Sequence, residues 1–442
     1  VITPEALARL LPDFLVRQRW YGAADKELRS VEVIDFEAMR EGPPELAWAL
    51  AEATFGDDTT ALYQVPVGVR PLEQTERFLE GKGRSLLGDA DTEEGAVLVY
   101  DALVDPELAV AFVNHIAPDE HVTHVRSLNV EQSNTSVVYD ERIIMKLFRR
   151  VPDGPNPDVE VTEALARVGF AHISAPVSSW RRDGRDLAVV RQFLEGGTEG
   201  WQLALTSLRD MYDSRLDPAD AGGDFAPEAA RLGEITAEMH IALAEAFGVQ
   251  DGDGEAWAET MVANLAHSGA RNLDAAAIAK VYDELRSLDD TGKSIRVHGD
   301  YHLGQTMRTD SGWYILDFEG EPAAPLEERR APSSPLRDVA GMLRSFHYAA
   351  HVGLVERGAE SVDDEDLRAL GARWEEHVAA SFLAGYARVE GVTELLPKSD
   401  HARQVVLDAF ILAKAVYEVG YELAHRPDWV RIPLEAIART LG

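Results

Sequence analysis

Residues 298–305 read HGDYHLGQ, and residues 313–322 read WYILDFEGEP. A polar turn carries Asp300 and Gln305, and an apolar strand then delivers Asp317. Two carboxylates set apart in this way suit phosphoryl transfer. One, Asp300, would stand at an attacking hydroxyl. The other, Asp317, would join Gln305 in holding magnesium against nucleotide phosphates. Two other readings fit the same residues. Both carboxylates could cap backbone in tight turns. His298, Asp300 and His302 also form an H-x-D-x-H cluster that could bind a metal for hydrolysis, but further ligands would be needed and no second tight His/Asp cluster follows.

Elements upstream supply what phosphoryl transfer needs besides carboxylates. Asp300 precedes Gln305 by five positions, the spacing of a kinase catalytic loop of the form HRDxxxxN, with Gln one methylene longer than Asn. Asp317 then takes the place of a DFG aspartate. Lys146 sits in RIIMKLFRRV among apolar residues, where an ammonium needs a partner or a ligand. The segment NPDVEVTEALARVG predicts a helix with Asn156 or Asp158 near its cap, carrying Glu160 toward Lys146, with Glu163 as the rival. From residue 121 the pattern is strand, turn, strand, helix, strand, strand, the order of a kinase small lobe. The turn EQSNTS offers Ser133, Asn134 and Thr135 to phosphate oxygens, although it has no glycine. An apolar strand followed by glycines, VVRQFLEGG, reads as a hinge whose backbone at Gln192, Phe193 and Leu194 would meet an adenine edge. A nucleotide-binding module without turnover is a further alternative, and the intact Lys, Glu, Asp and Asp set argues against it.

Bulk composition sets the limits. The chain has 442 residues, a net charge of −34 and no cysteine. The charge argues against nucleic acid or an anionic membrane as partner. It leaves ATP open, because a few local cations suffice, and favours a neutral or cationic co-substrate. Thiolate chemistry, disulfides and cysteine metal sites are excluded. The N-terminal stretch has scattered charges and no long apolar core, so a cytoplasmic enzyme is expected.

Residues 2–19 predict an amphipathic helix capped by Thr3, and residues 31–70 predict antiparallel strands. Residues 73–95 read as a charged loop. Beyond residue 197 helices dominate. His240 reads as a satisfied core histidine, and Asp338 and Arg344 as braces for the 298–305 loop. The expected organisation is α+β and bilobal: an N-terminal β-rich module at 1–118, a kinase-like small lobe at 119–196, and a helical lobe at 197–442.

Several stretches together resemble the actinobacterial maltokinase-like family. They are RQRWYG, EQSNTSVVYD, IMKLFRRV with NPDVE, HGDYHLGQ, the run at 317–346, and AVYEVGYELAHRPDWVRIPL. The resemblance implies a protein-kinase-like, aminoglycoside-phosphotransferase-like fold with an N-terminal cap. It also implies ATP and magnesium as cofactors and a small sugar as acceptor. Maltokinases make maltose 1-phosphate; related glucosamine kinases act at O6 of the amino sugar. Maltokinases typically read HGDLHLGQ, RSFDYAA and ELDKAVYE. Here Tyr301, His347 and Ala413 depart from that pattern, which points to glucosamine, with maltose as the alternative. His302, Glu319, Glu321, Tyr417, Glu418, Tyr421 and Trp429 are the expected acceptor-facing residues. Glu319, Glu321, Glu418 and Glu422 would meet a protonated amine through charge-assisted bonds.

Overall fold

Strict alternation along residues 45–55, ELAWALAEATF, organises the first part of the molecule. Successive side chains in a strand point to opposite faces. Ala47, Ala49, Ala51 and Ala53 therefore join the core beneath helix Pro4–Leu15, with Leu7, Leu11 and Phe14. Leu46, Trp48 and Leu50 join another core with Leu108 and Phe112 of helix Pro106–Ile116. A helix on each face explains why this strand is buried almost throughout. The expected cap on the first helix is present, with Thr3 Oγ1 accepting from Ala6 N–H at 3.2 Å.

The structure, a computed structural model, describes every residue except 1, 75–78, 80, 93–94, 128–133, 268–272, 322–323 and 359–363. The chain divides into two compact units, Val1–Glu160 with Ser174–Glu195, and Val161–Ile173 with Gly196–Gly442.

The first unit holds two antiparallel sheets. One runs Leu28–Arg40, Glu45–Phe55, Thr60–Pro71, Gly95–Asp101, Leu86–Thr92, with Arg150–Val151 beside Thr60–Pro71. The other runs Pro176–Arg182, Arg185–Gln192, Ile143–Leu147, Thr135–Tyr139, Val125–Ser127. The segment expected to be a loop at 73–95 thus contains a strand, Leu86–Thr92. Its sequence, LLGDADT, has little intrinsic strand preference. Pairing along an edge with Gly95–Asp101 overrides that, while Leu87 is buried and Asp89 points outward.

Gln64 ties the two sheets together. Its side chain is 0% exposed. Its Oε1 accepts from Trp48 Nε1 at 2.9 Å, and its Nε2 donates to the backbone oxygens of Phe148 at 2.8 Å and Leu187 at 2.6 Å. Every polar atom of this buried amide is engaged, as burial requires.

The second unit is helical around one large core. Helices Ala226–Phe247 and Glu365–Arg388 pack closely because Gly233 lacks a side chain; a Cβ there would lie 2.0 Å from the Phe382 carbonyl oxygen. Two short strands, Thr306–Thr309 and Gly312–Ile315, form a hairpin with Thr198–Glu199 beside it. Among the described residues, no helix is long and apolar enough to cross a membrane.

Candidate active site

The 298–305 loop is fastened from both sides. Below it, helix Leu336–Glu356 comes close because position 341 is glycine; a Cβ there would meet the Tyr301 carbonyl oxygen at 2.5 Å. One turn before, Asp338 is fully buried, and its carboxylate accepts from the backbone N–H of His298 at 2.8 Å and of Gly299 at 2.9 Å. His240 Nε2 lies 3.2 Å from the same carboxylate, and His240 Nδ1 lies 2.8 Å from the Tyr386 hydroxyl. Burial would raise the Asp338 carboxyl. The bond and charge of His240, then His298 and the Gly299 N–H, outweigh burial and hold it below its ordinary value. Asp338 and His240 therefore play the bracing and core roles expected of them.

On the other side, the loop is stitched to the hairpin that delivers Asp317. His298 Nε2 lies 2.9 Å from the Leu316 carbonyl oxygen, and the Leu316 N–H donates to the Gln305 carbonyl oxygen at 2.8 Å. Both ends of the loop thus bond to the residue preceding Asp317. Asp317 itself adopts φ +59, one of seven non-glycine residues in the left-handed region among the described residues, a backbone that costs about 1 kcal/mol. His298 Nδ1 faces the Asp300 N–H at 3.4 Å, and the histidine ring lies 4.8 Å from the Phe318 ring.

Asp300 meets a partner that sequence reasoning missed. Lys414, on helix Asp400–His425, places Nζ 3.0 Å from Asp300 Oδ1 and 3.0 Å from Glu321 Oε2. The Tyr417 hydroxyl, one turn along that helix, donates to Glu321 Oε1 at 2.6 Å. Asp300, Lys414, Glu321 and Tyr417 make a continuous chain. The other Asp300 oxygen, Oδ2, lies 3.9 Å from His302 Nε2. His302 Nδ1 accepts from the Gly304 N–H at 3.0 Å, which leaves the proton of a neutral ring on Nε2, facing Asp300. Burial raises the Asp300 carboxyl, but Lys414, His302 and His298 outweigh it and the net shift is downward. Burial lowers the Lys414 ammonium, but Asp300, Glu321 and Glu418 outweigh it and drive it up. His302 is lowered, by burial first and by Lys414 and His298, against Asp300 and Glu321. The site therefore holds an ionised Asp300, a charged Lys414 and a neutral His302 near neutral pH.

Of the remaining acceptor candidates, Glu418, Tyr421 and Glu422 lie along the same helix, Trp429 just beyond it and Glu319 in the turn after the hairpin, and the helix carboxylates are already paired. Arg344 binds Glu418 Oε2 through Nε at 3.0 Å and Nη2 at 2.6 Å. Glu422 accepts from the Tyr348 hydroxyl at 3.1 Å and from Arg426 at 2.8 and 3.0 Å. The four-carboxylate cluster expected from sequence is thus partly neutralised by the chain's own cations. The Glu319 backbone oxygen accepts from Arg329 at 3.2 Å. Tyr421 stacks on Tyr417 with ring centres 6.4 Å apart and is 42% exposed. The Arg426 guanidinium lies 4.3 Å from the Trp429 ring. Two of the three departures from the maltokinase pattern have buried side chains with partners of their own. The Tyr301 hydroxyl meets Thr236 Oγ1 at 2.8 Å, and His347 meets Glu375 at 2.9 Å. Ala413 packs into the helical core.

Within the first unit, the expected nucleotide residues fall into a different pattern. Lys146 Nζ lies 3.3 Å from Asp158 Oδ2, and Arg191 Nη2 lies 3.1 Å from the same oxygen. Asp158, 0% exposed, is thus a helix carboxylate that meets the strand lysine, two positions before the expected Glu160. Asn156 caps this helix, its side chain accepting from the Asp158 N–H at 2.8 Å. The Thr135 hydroxyl accepts from Arg149 Nε at 2.7 Å and is held in the sheet. Asn134 lies just before strand Thr135–Tyr139, and Ser133 lies outside the described residues. Gln192 donates its N–H to the Ala175 oxygen at 2.9 Å and accepts from Ser174 Oγ at its carbonyl. The Phe193 N–H donates to the Arg142 oxygen at 2.8 Å.

Comparisons with known proteins identify the family. Residues 14–105 match the maltokinase N-terminal cap domain, and residues 189–370 match the phosphotransferase enzyme family. A glucosamine kinase from Streptacidiphilus jiangxiensis is 32% identical over 374 residues, covering 80% of this chain and 81% of that protein. A glucosamine kinase from Mycolicibacterium smegmatis is 25% identical over 343 residues, covering 72% of this chain and 79% of that one. A solved structure of a glucosamine kinase in complex with glucosamine, ADP and inorganic phosphate has the same fold, with a TM-score of 0.68 at 24% identity over 100% of both chains. The chain belongs to the glucosamine kinase family of phosphotransferases that carry a maltokinase-type N-terminal cap.

Proposed function

We propose that this protein transfers the γ-phosphoryl group of ATP to the 6-hydroxyl of glucosamine. One observation carries the chemistry: Asp300, held below its ordinary carboxyl value, has one oxygen on Lys414 and the other 3.9 Å from His302 Nε2, on a loop stitched at both ends to Leu316. The 32% identity to a glucosamine kinase across four-fifths of both proteins supports the choice of sugar. Two carboxylates around one ammonium leave Asp300, Lys414 and Glu321 with one negative charge in surplus, which favours a protonated amine over a neutral sugar.

In this reading the sugar oxygen attacks the γ-phosphorus. The bond to the β,γ-bridging oxygen breaks, and its electron pair leaves with ADP. The hydroxyl proton passes late to Asp300 Oδ2, so the carboxylate chiefly orients the nucleophile. Glu321 is held by Lys414 and Tyr417 and is placed to accept a bond from the sugar. In the first unit Lys146, kept oriented by Asp158, is the residue assigned to the nucleotide phosphates. Gln305 and Asp317 offer hard oxygen donors and are joined through the Leu316 N–H, a set that fits magnesium. Bound there, the ion would neutralise phosphate charge.

Sugar-dependent ADP release tests the reading. Glucosamine should give the highest kcat/KM, and the product should be its 6-phosphate by phosphorus NMR. If maltose leads the panel, the maltokinase reading replaces it, in keeping with the cap domain. Tight ATP binding without sugar-dependent release would point to a nucleotide-binding module instead.

A further inference from the structure

Lys414 is one cation inserted between two carboxylates that belong to different parts of the chain. Asp300 comes from the 298–305 loop, and Glu321 from the turn after the hairpin. The ammonium also sits 5.0 Å from the Tyr417 ring centre. Its stem lies in the apolar run AFILAKAV on helix Asp400–His425. The partly buried side chain thus has its charge aimed at the loop.

The groups facing Asp300 can be named from every side. His298 and His302 come from its own loop, Lys414 and Tyr417 from the long helix, and Glu321 from the turn. Among these, Lys414 is the permanent cation and the one that bonds Asp300 directly. Without it, Asp300 would have Oδ1 open as well as Oδ2, and burial together with Glu321 would favour its protonated form.

We propose that Lys414 is a positioning residue for the transfer: it takes up Oδ1 of Asp300, leaving Oδ2 as the single oxygen for the acceptor hydroxyl, and Glu321 with Tyr417 fixes the lysine for that task. This deepens the kinase reading and rests on it. Proton transfer runs from the acceptor hydroxyl to Oδ2; Lys414 keeps its own proton throughout.

The test compares Lys414→Met, Lys414→Arg and Tyr417→Phe. In Lys414→Met, kcat should fall at least about tenfold, and the acidic limb of its pH profile should move up by about one to three units, the range for loss of an adjacent opposite charge. The KM for ATP should stay within about twofold of wild type. Lys414→Arg should restore the limb and much of kcat. Tyr417→Phe should move the limb in the same direction by less. An unmoved limb in Lys414→Met, or equal losses in the Met and Arg variants, would overturn the proposal. A second measurement stands apart from the sugar. The 13Cγ signal of Asp300, assigned by its absence in Asp300→Asn, should titrate at higher pH in Lys414→Met than in wild type, with no acceptor present. A matching titration would sink the Lys414 role even if the kinase reading holds. A shifted titration in a protein that phosphorylates no sugar would support the role while removing that reading.

Discussion

Two buried lysine clusters, one in each unit, have opposite composition. In the first unit one carboxylate, Asp158, lies between two cations, Lys146 and Arg191. In the second, one ammonium, Lys414, lies between two carboxylates, Asp300 and Glu321. Counted on these bonds alone, the first trio carries two cations to one carboxylate and the second the reverse, in partly buried surroundings where charges interact more strongly than in bulk water. A positive trio suits phosphate oxygens. A negative trio suits a hydroxyl that must give up a proton and an amine that carries a charge. In the proposed kinase reading, the same device, a paired lysine, would serve two kinds of substrate by a change in which sign is doubled.

The largest effect should come from breaking the second trio at its centre of chemistry. Asp300→Asn should lower kcat by about 10²–10⁴-fold while leaving nucleotide affinity and melting temperature close to wild type. Steady-state rates with nucleotide-binding calorimetry would check this; near-normal turnover would remove Asp300 from its role.

Breaking the first trio should have a different signature. Asp158→Asn removes the charge between Lys146 and Arg191 and should destabilise the fold by about 3 kcal/mol. The KM for ATP should rise about tenfold with the sugar KM unchanged. A change confined to the sugar KM would contradict the division between the trios.

Asp338 supports the second trio from beneath, and its contribution depends on pH in a definite direction. Its folded carboxyl lies below its ordinary value, near 3.9 in an unfolded chain. The stability it adds is therefore complete above that value and is lost as pH falls through the folded one. Asp338→Asn should lower the melting temperature at pH 7, and the gap to wild type should narrow below about pH 4. A gap independent of pH would show that the charge of Asp338 contributes nothing.

The smallest effect concerns residues that differ from the maltokinase pattern without facing the acceptor. Tyr301 is 2% exposed and bonded to Thr236, and His347 is bonded to Glu375. Tyr301→Leu and His347→Asp should each alter the ratio of glucosamine to maltose efficiency by less than about twofold, even where they lower stability. A larger change would reopen the idea that these positions choose the sugar.

How much of this could be read in the chain depended on range. Asp300, Gln305 and Asp317 were legible because loop, hairpin and second carboxylate follow one another within twenty residues, so spacing alone sets their order. Lys146 was legible as a charge in an apolar strand. Its bond to Asp158, two positions before the expected Glu160, was not legible, because periodicity locates a helix but not which of its early carboxylates turns inward. Lys414 was missed although its signal is the same: a lone lysine in an apolar run, AFILAKAV. An ammonium among apolar side chains needs a partner there just as it does at Lys146. What the sequence lacked was the partner, since Asp300 lies 114 residues away. The pairing of Glu418 with Arg344 and of Glu422 with Arg426 shows the reverse error. Acidic residues near an expected substrate looked available, and the fold supplies cations for them. The strand Leu86–Thr92 escaped notice because edge pairing, not local preference, forms it.

The amino-sugar reading can be tested most directly by the ratio of kcat/KM for glucosamine to that for N-acetylglucosamine. Acetylation removes the positive charge and adds bulk while keeping the 6-hydroxyl. The negative surplus around Lys414 predicts a ratio of at least about ten, equivalent to about 1.4 kcal/mol of transition-state binding. A ratio near one, or a higher efficiency for maltose than for glucosamine, would contradict the account.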